Sequence, residues 1–170
     1  MKRLVPLSVL VLALATAAGV AFAANSGGGR GHDKHHGLPI RHGKVIHVVE
    51  HATTDAVTNH ADGVNTDSVG DVLTFANDVF DQEDSSKVGS DQGYCIRIIV
   101  GKTWECNWTT FLSGGQITVE GPFSDTGNTV LAVTGGTGKY RNARGSMELN
   151  YHNPAGTKFD FVFHIIGGGD

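Results

Sequence analysis

From Lys44 onward the chain alternates short runs of β-branched and aromatic residues with clusters of Gly, Asn and Asp. Such spacing predicts short strands joined by tight turns. Eight strands are expected, over 44–51, 71–77, 93–100, 103–112, 116–121, 129–134, 144–152 and 157–165. The last is the cleanest. Phe159, Phe161, Phe163 and Ile165 share one face, while Lys158, Asp160 and His164 share the other, which is the period of a half-buried strand. Ser113-Gly114-Gly115, Ser124 to Asn128, Gly135 to Gly138 and Asn153 to Gly156 supply the turn chemistry. No window sustains a helical period. The pattern therefore predicts an all-β fold, an antiparallel up-and-down barrel of eight strands, because closure leaves no strand edge exposed. A barrel of that size has a lumen just wide enough for side chains or one small ligand.

Upstream of the strands the pattern changes twice. Lys2 and Arg3 precede an apolar stretch from Leu4 to Val20, and Ala21-Phe22-Ala23 places small residues where a signal peptidase needs them. Residues 1–23 read as a secretory signal peptide of bacterial form, cut after Ala23 and too short to serve well as a membrane span. Residues 24–43 read as a Gly/His-rich linker, with Gly27-Gly28-Gly29, His32, His35, His36 and His42. A His-rich tract is a candidate for Zn²⁺, Ni²⁺ or Cu²⁺, but no carboxylate or thiolate cluster completes a closed site there, so no metal is expected. The barrel domain is thus assigned to 44–170, in a secreted, extracellular protein.

Composition narrows the partners. At 170 residues there is room for one domain, and a formal net charge of -4 argues against nucleic acid or an anionic membrane. Export also changes how the two cysteines read, since an even pair in an oxidising compartment forms a disulfide. A hairpin folded about Val100-Gly101, with Ile99 facing Lys102, places Cys95 directly opposite Cys106.

No standard catalytic motif is present. Gly135 to Lys139 has the wrong spacing for a phosphate loop and no Ser or Thr after the lysine. Asn107-Trp108-Thr109 is a glycosylation sequon within a strand and reads as incidental. No cofactor is implied. Two polar residues do fall on apolar strand faces: Glu50 in register with Ile46 and Val48, and Asn77 in register with Leu73 and Phe75. A buried acid is costly unless paired or functional, and burial raises its pKa toward the range useful for acid–base or electrostatic work. The alternative is that each residue ends its strand in solvent or satisfies a loop amide. Arg97 shares a face with Cys95 and lies opposite Trp104, as either a lumen ion site or an arginine–aromatic stack.

Gly70 to Asn77, Val88-Gly89, Gln92-Gly93-Tyr94-Cys95, Gly121-Pro122 and Ala132 to Gly138 together resemble the plant allene oxide cyclases, as do Tyr140 to Met147 and the aromatic last strand. Dirigent proteins are similar in architecture. The resemblance implies an eight-stranded barrel, often a homotrimer, whose apolar cavity enforces cyclisation of an unstable hydrophobic molecule. It also implies cavity roles for Glu50, Asn77 and Cys95. The chain departs from the family pattern at Ala52, where the cyclases carry a second asparagine, and a bridged Cys95 leaves no free thiol. An exported cyclase or isomerase is therefore expected, with Glu50 stabilising developing positive charge. The alternatives are a dirigent-like or carrier barrel that binds an apolar molecule without turnover, and a structural secreted protein.

Overall fold

In the computed structural model, which describes residues 43–60 and 66–166, almost every element is a strand. The signal peptide and most of the linker expected upstream lie outside the described residues. Strands run β1 (Lys44–His51), β2 (Ala56–Thr58), β3 (Val72–Phe75), β4 (Asp78–Asp81), β5 (Lys87–Ile99), β6 (Thr103–Leu112), β7 (Gly115–Ser124), β8 (Thr129–Gly136), β9 (Arg144–Tyr151) and β10 (Lys158–Ile166). A 3-10 turn at Gly138–Tyr140 occupies the glycine-rich loop after β8. All pairings are antiparallel. Hydrogen bonding passes from β1 through β4, β5, β6, β7, β8, β9 and β10 and returns to β1, so the sheet closes.

The closed barrel has eight staves, as the periodicity predicts, but one stave is assembled differently. The expected strand 71–77 stops at Phe75, and the chain resumes as β4 after a break at Ala76–Asn77. Both pieces lie along the same side of β5, β4 on Lys87–Ser90 and β3 on Gly93–Ile96. The neighbouring stave breaks beside it, between β1 and β2, and β2 pairs β3 as β1 pairs β4. β5 also starts at Lys87 rather than 93. Its first residues are rich in Gly, Ser and Asp, which favour strands poorly in isolation. Pairing on both edges, with β4 and with β6, overrides that preference.

The alternation of β10 is observed as expected: Phe159, Phe161, Phe163 and Ile165 are buried, and the residues between them are half-buried or exposed. They pack against Val48, Met147, Leu149, Trp108, Ile117, Val119 and Leu131 in one continuous core. The apolar inner face of each stave thus meets those of its neighbours, which is the burial that drives closure.

Cys95 faces Cys106 across β5 and β6, and the two are bridged, with Cα atoms 4.0 Å apart. The turn differs by one residue from the expected register. Ile99 pairs Thr103 rather than Lys102, a bulge at Ile98 takes up the difference, and Gly101 adopts φ +64°. A left-handed residue is needed at that turn, and glycine takes it without steric cost. The bridge spans a sequence separation of 11, so loop-closure entropy predicts a loss of about 2–3 kcal/mol on reduction. Melting the protein with and without a thiol reductant checks this. A lower midpoint in reductant is the expected result.

Candidate functional site

Sequence periodicity sends Glu50 into the lumen with Val48, and the side chain is 6% exposed. Its neighbours in the barrel wall are Phe159 on β10 and Val79 on β4. A carboxyl in that setting needs a partner, and Asn77 supplies one. The Asn77 Nδ2 group donates to Glu50 Oε1 at 2.8 Å and to Asp55 Oδ1 at 2.9 Å. The Asn77 Oδ1 atom accepts from Thr53 N–H at 3.0 Å, Thr54 N–H at 2.9 Å and the Thr54 hydroxyl at 2.9 Å. Both strand breaks are thus latched by one amide. Asn77, itself 1% exposed, has both ends of its side chain engaged and lies behind the cavity wall.

The break also brings in Asp91. Asn77 and Asp91 exchange both backbone hydrogen bonds, at 3.1 and 2.8 Å, and Asn77 N–H also reaches Asp91 Oδ1 at 3.2 Å. Asp91 is 2% exposed, and its Oδ2 meets no N–H or hydroxyl donor among the described residues. Glu50 interacts with Asp91 directly, side chain to side chain. Burial is the main cause holding Glu50 protonated well above the ordinary carboxyl range, followed by the charge of Asp91. Burial likewise pushes Asp91 up to about 7. The N–H of Asn77 and the hydrogen bond from Glu50 both favour its ionised form.

In front of Glu50 lies a narrow cavity with an empty volume of ≈ 380 Å³, its open mouth included. Leu73 and Phe75 of β3, Trp108 of β6, Phe123 of β7, Leu149 of β9, and Phe159 and Phe161 of β10 form its apolar wall. The Cys95–Cys106 disulfide lines it too, and Asp55 joins Glu50 as its polar corner. The aromatic rings brace one another, with Trp108 edge-on to Phe75 at 6.0 Å and tilted to Phe161 at 5.4 Å. Gly93 sets where Trp108 stands. A Cβ at that position would fall 2.2 Å from the Trp108 Cβ and 2.5 Å from the Asn107 carbonyl oxygen.

Arg97 stands apart from this cavity and combines both arrangements its sequence position suggests. Its guanidinium stacks 3.8 Å over the Trp104 ring, donates from Nε to Asp67 at 2.6 Å and pairs with Asp125 at 2.5 Å. Trp104 Nε1 donates to the same Asp125 at 3.0 Å. A separate shallow cleft runs past Arg97, Trp104, Val57 and Asn59. Among the described residues no cluster of His, Cys, Asp and Glu could hold a metal ion.

Of the site residues read from sequence, the structure brings Glu50, Asn77 and Cys95 to one end of the lumen and leaves Arg97 off the wall of the cavity. Asp91 and Asp55 are additions. Asp91 had a signal: counting back by twos from Cys95 through Gly93 lands on it, an acid on the inward face of β5. Asp55, in the break after β1, had none.

Solved structures of this architecture align over most of the chain. A pyocyanin demethylase superposes with a TM-score of 0.58 at 22% identity, covering 71% of this chain and 100% of the demethylase. A pterocarpan synthase dirigent protein gives 0.60 at 21%, covering 73% and 91%. A Diels–Alderase from Streptomyces koyangensis gives 0.53 at 14%, covering 76% and 72%. At these identities the shared property is the fold. The model of the allene oxide cyclase barrel-like domain matches residues 47–162, which reaches every stave of the barrel and includes Glu50, Asp55, Asn77 and Asp91. With the closed sheet and most of the chain accounted for, this protein belongs to the allene oxide cyclase-like barrel family.

Proposed function

We propose that this chain is an exported barrel that takes a slender apolar molecule into its lumen and controls cyclisation or isomerisation of a hydrophobic reactive intermediate. One observation carries the reading: Glu50 is buried among aromatic and aliphatic walls at the head of an open cavity. Keeping an ionisable group there costs stability, and it is retained in sites that use it. The apolar walls supply affinity and hold a flexible guest near its reactive conformation, while the carboxyl supplies the single polar contact that orients it. Use of the fold by a pyocyanin demethylase and a Diels–Alderase supports catalysis. Export is supported by the N-terminal sequence and by the disulfide.

A second reading, a dirigent-like or carrier barrel without turnover, draws on the bridged Cys95 and on Ala52, which remove two polar groups that the cyclases place in the cavity. Two slender dyes test the shared premise: prodan, a naphthyl ketone, and diphenylhexatriene, which carries no oxygen. Both should fluoresce on binding the folded protein. Glu50→Gln keeps the shape of the side chain and should melt within a few degrees of wild type. It should weaken prodan by about tenfold, the worth of one hydrogen bond, and leave diphenylhexatriene unchanged. A wild-type protein that binds neither dye overturns the lumen reading. Native mass spectrometry of the purified protein for a co-purifying apolar molecule then identifies the guest class.

A further inference from the structure

We propose that Glu50 and Asp91 work as one proton-sharing carboxyl pair, Glu50 presented to the cavity and Asp91 behind it, and that the guest therefore carries a hydrogen-bond-accepting oxygen such as a ketone carbonyl. The inference rests on the lumen reading above and adds Asp91, a positioning residue, to it.

Three observations meet at this point. The first is the orphaned atom. Asp91 Oδ1 accepts from the Asn77 N–H, but Oδ2 is buried without an N–H or hydroxyl donor. Glu50 shares Asn77 with Asp91 as a hydrogen-bond partner and is the carboxyl that interacts with Asp91, another acceptor when ionised. Two carboxylate oxygens facing each other in a buried setting repel, whereas one proton between them turns the contact into a strong hydrogen bond. The second is how Asn77 places its donors. Its Nδ2 fixes Glu50 Oε1 as an acceptor, which leaves Oε2 to carry the proton. The third points to the guest. Trp108 forms part of the cavity wall and is 3% exposed, yet its indole N–H has no partner among the described residues. An indole N–H can only donate, so an oxygen acceptor in the cavity would satisfy it.

The other charges facing the pair are acidic. Asp55, from the break after β1, and Asp78, at the start of β4, both disfavour ionisation of Asp91. Asp78 is offset by its ion pair to Lys87 at 2.7 Å. The largest influences on Glu50 and Asp91 include no cation. The pair therefore cycles between two protons and one near neutral pH, which is where a general acid–base pair is most effective. In the forward step Glu50 gives its proton to the guest oxygen and receives the proton of Asp91. The negative charge comes to rest on Asp91, held by the Asn77 N–H. A proton later released from a carbon of the guest returns to the pair, so the cycle closes without another reactant.

Infrared spectroscopy of the unliganded protein across pH tests the pair without any ligand, with the aspartate carboxyls ¹³C-labelled to separate Asp from Glu. A protonated carboxyl stretch should persist in the folded wild type at pH 7. It should disappear in two steps, the first near neutrality and the second at higher pH. Glu50→Gln and Asp91→Asn should each show one step, and prodan affinity should follow the first step in wild type. A wild type in which both carboxyls ionise in the ordinary acidic range overturns the proposal. So does an Asp91→Asn variant in which Glu50 titrates as in wild type. If Asp91→Asn fails to fold, the wild-type and Glu50→Gln titrations decide alone. Intact two-step titration with no dye binding would sink the lumen reading and leave the pair standing.

Discussion

Asn77→Ala lowers the stability of the barrel by about 3 kcal/mol at pH 7, measured by urea unfolding. The amide serves five contacts: three donors on Oδ1 and two carboxyl acceptors on Nδ2. Each such bond is worth about 1 kcal/mol net. The exposed Thr53 and Thr54 amides regain water when the side chain is lost, whereas buried Glu50 does not, so the total falls below a simple sum. Asn77→Asp gives a more diagnostic result. It keeps the shape and the acceptor, but sets a new carboxyl against Glu50, Asp55 and Asp91. The variant should be strongly destabilised at pH 8 and largely recovered at pH 5, where the added carboxyl is protonated. A variant equally unstable at both pH values would show that Asn77 acts through shape alone.

The second large effect is the pH dependence of the wild type. In the unfolded chain both Glu50 and Asp91 ionise near 4. In the barrel Asp91 holds its proton up to about 7 and Glu50 beyond the ordinary range, both chiefly through burial. Between those limits the native state binds more protons than the unfolded state, so stability falls as pH rises. The contribution is fully present below about pH 4 and is lost as pH climbs through 7. For Asp91 alone the rise from 3.8 to about 7 corresponds to a loss on the order of 4 kcal/mol by pH 8.

Other carboxyls act in the opposite sense. Asp71 is held below its ordinary value first by the His60 N–H and then by the Ser68 hydroxyl. Asp81 is lowered by the Ser85 N–H, and Asp84 by Lys158 and His51. Their contributions are lost as pH falls through those depressed values. Urea midpoints should therefore peak between about pH 4 and 6 and decline toward pH 8, with a flatter decline in Glu50→Gln and Asp91→Asn. Stability that rises from pH 5 to pH 8 would contradict the burial of the pair.

Much of this protein is legible in one dimension, and for a definable reason. Strand periodicity is a local property, so Phe159, Phe161, Phe163 and Ile165 declare an inward face without knowing what lies opposite. The same counting puts Glu50 on the lumen side of β1 and, through a tight hairpin, Cys95 against Cys106. Closure follows as well, because strands this short with this many turns have few other ways to hide their edges. What local pattern could not supply is the chemistry at the polar corner. Asn77 reads from sequence as the end of a strand, yet it sits in a break whose partner is the break after β1. Two interruptions in separate segments become one latch only when the staves lie side by side. Asp91 lies in a Gly- and Ser-containing run of weak strand propensity, and becomes strand only because β4 and β6 pair its two edges. Its meeting with Glu50 is a contact between staves, decided by register around a closed sheet. Tertiary structure settles the protonation of such a pair because burial, which neither residue encodes alone, makes two adjacent charges too costly to keep.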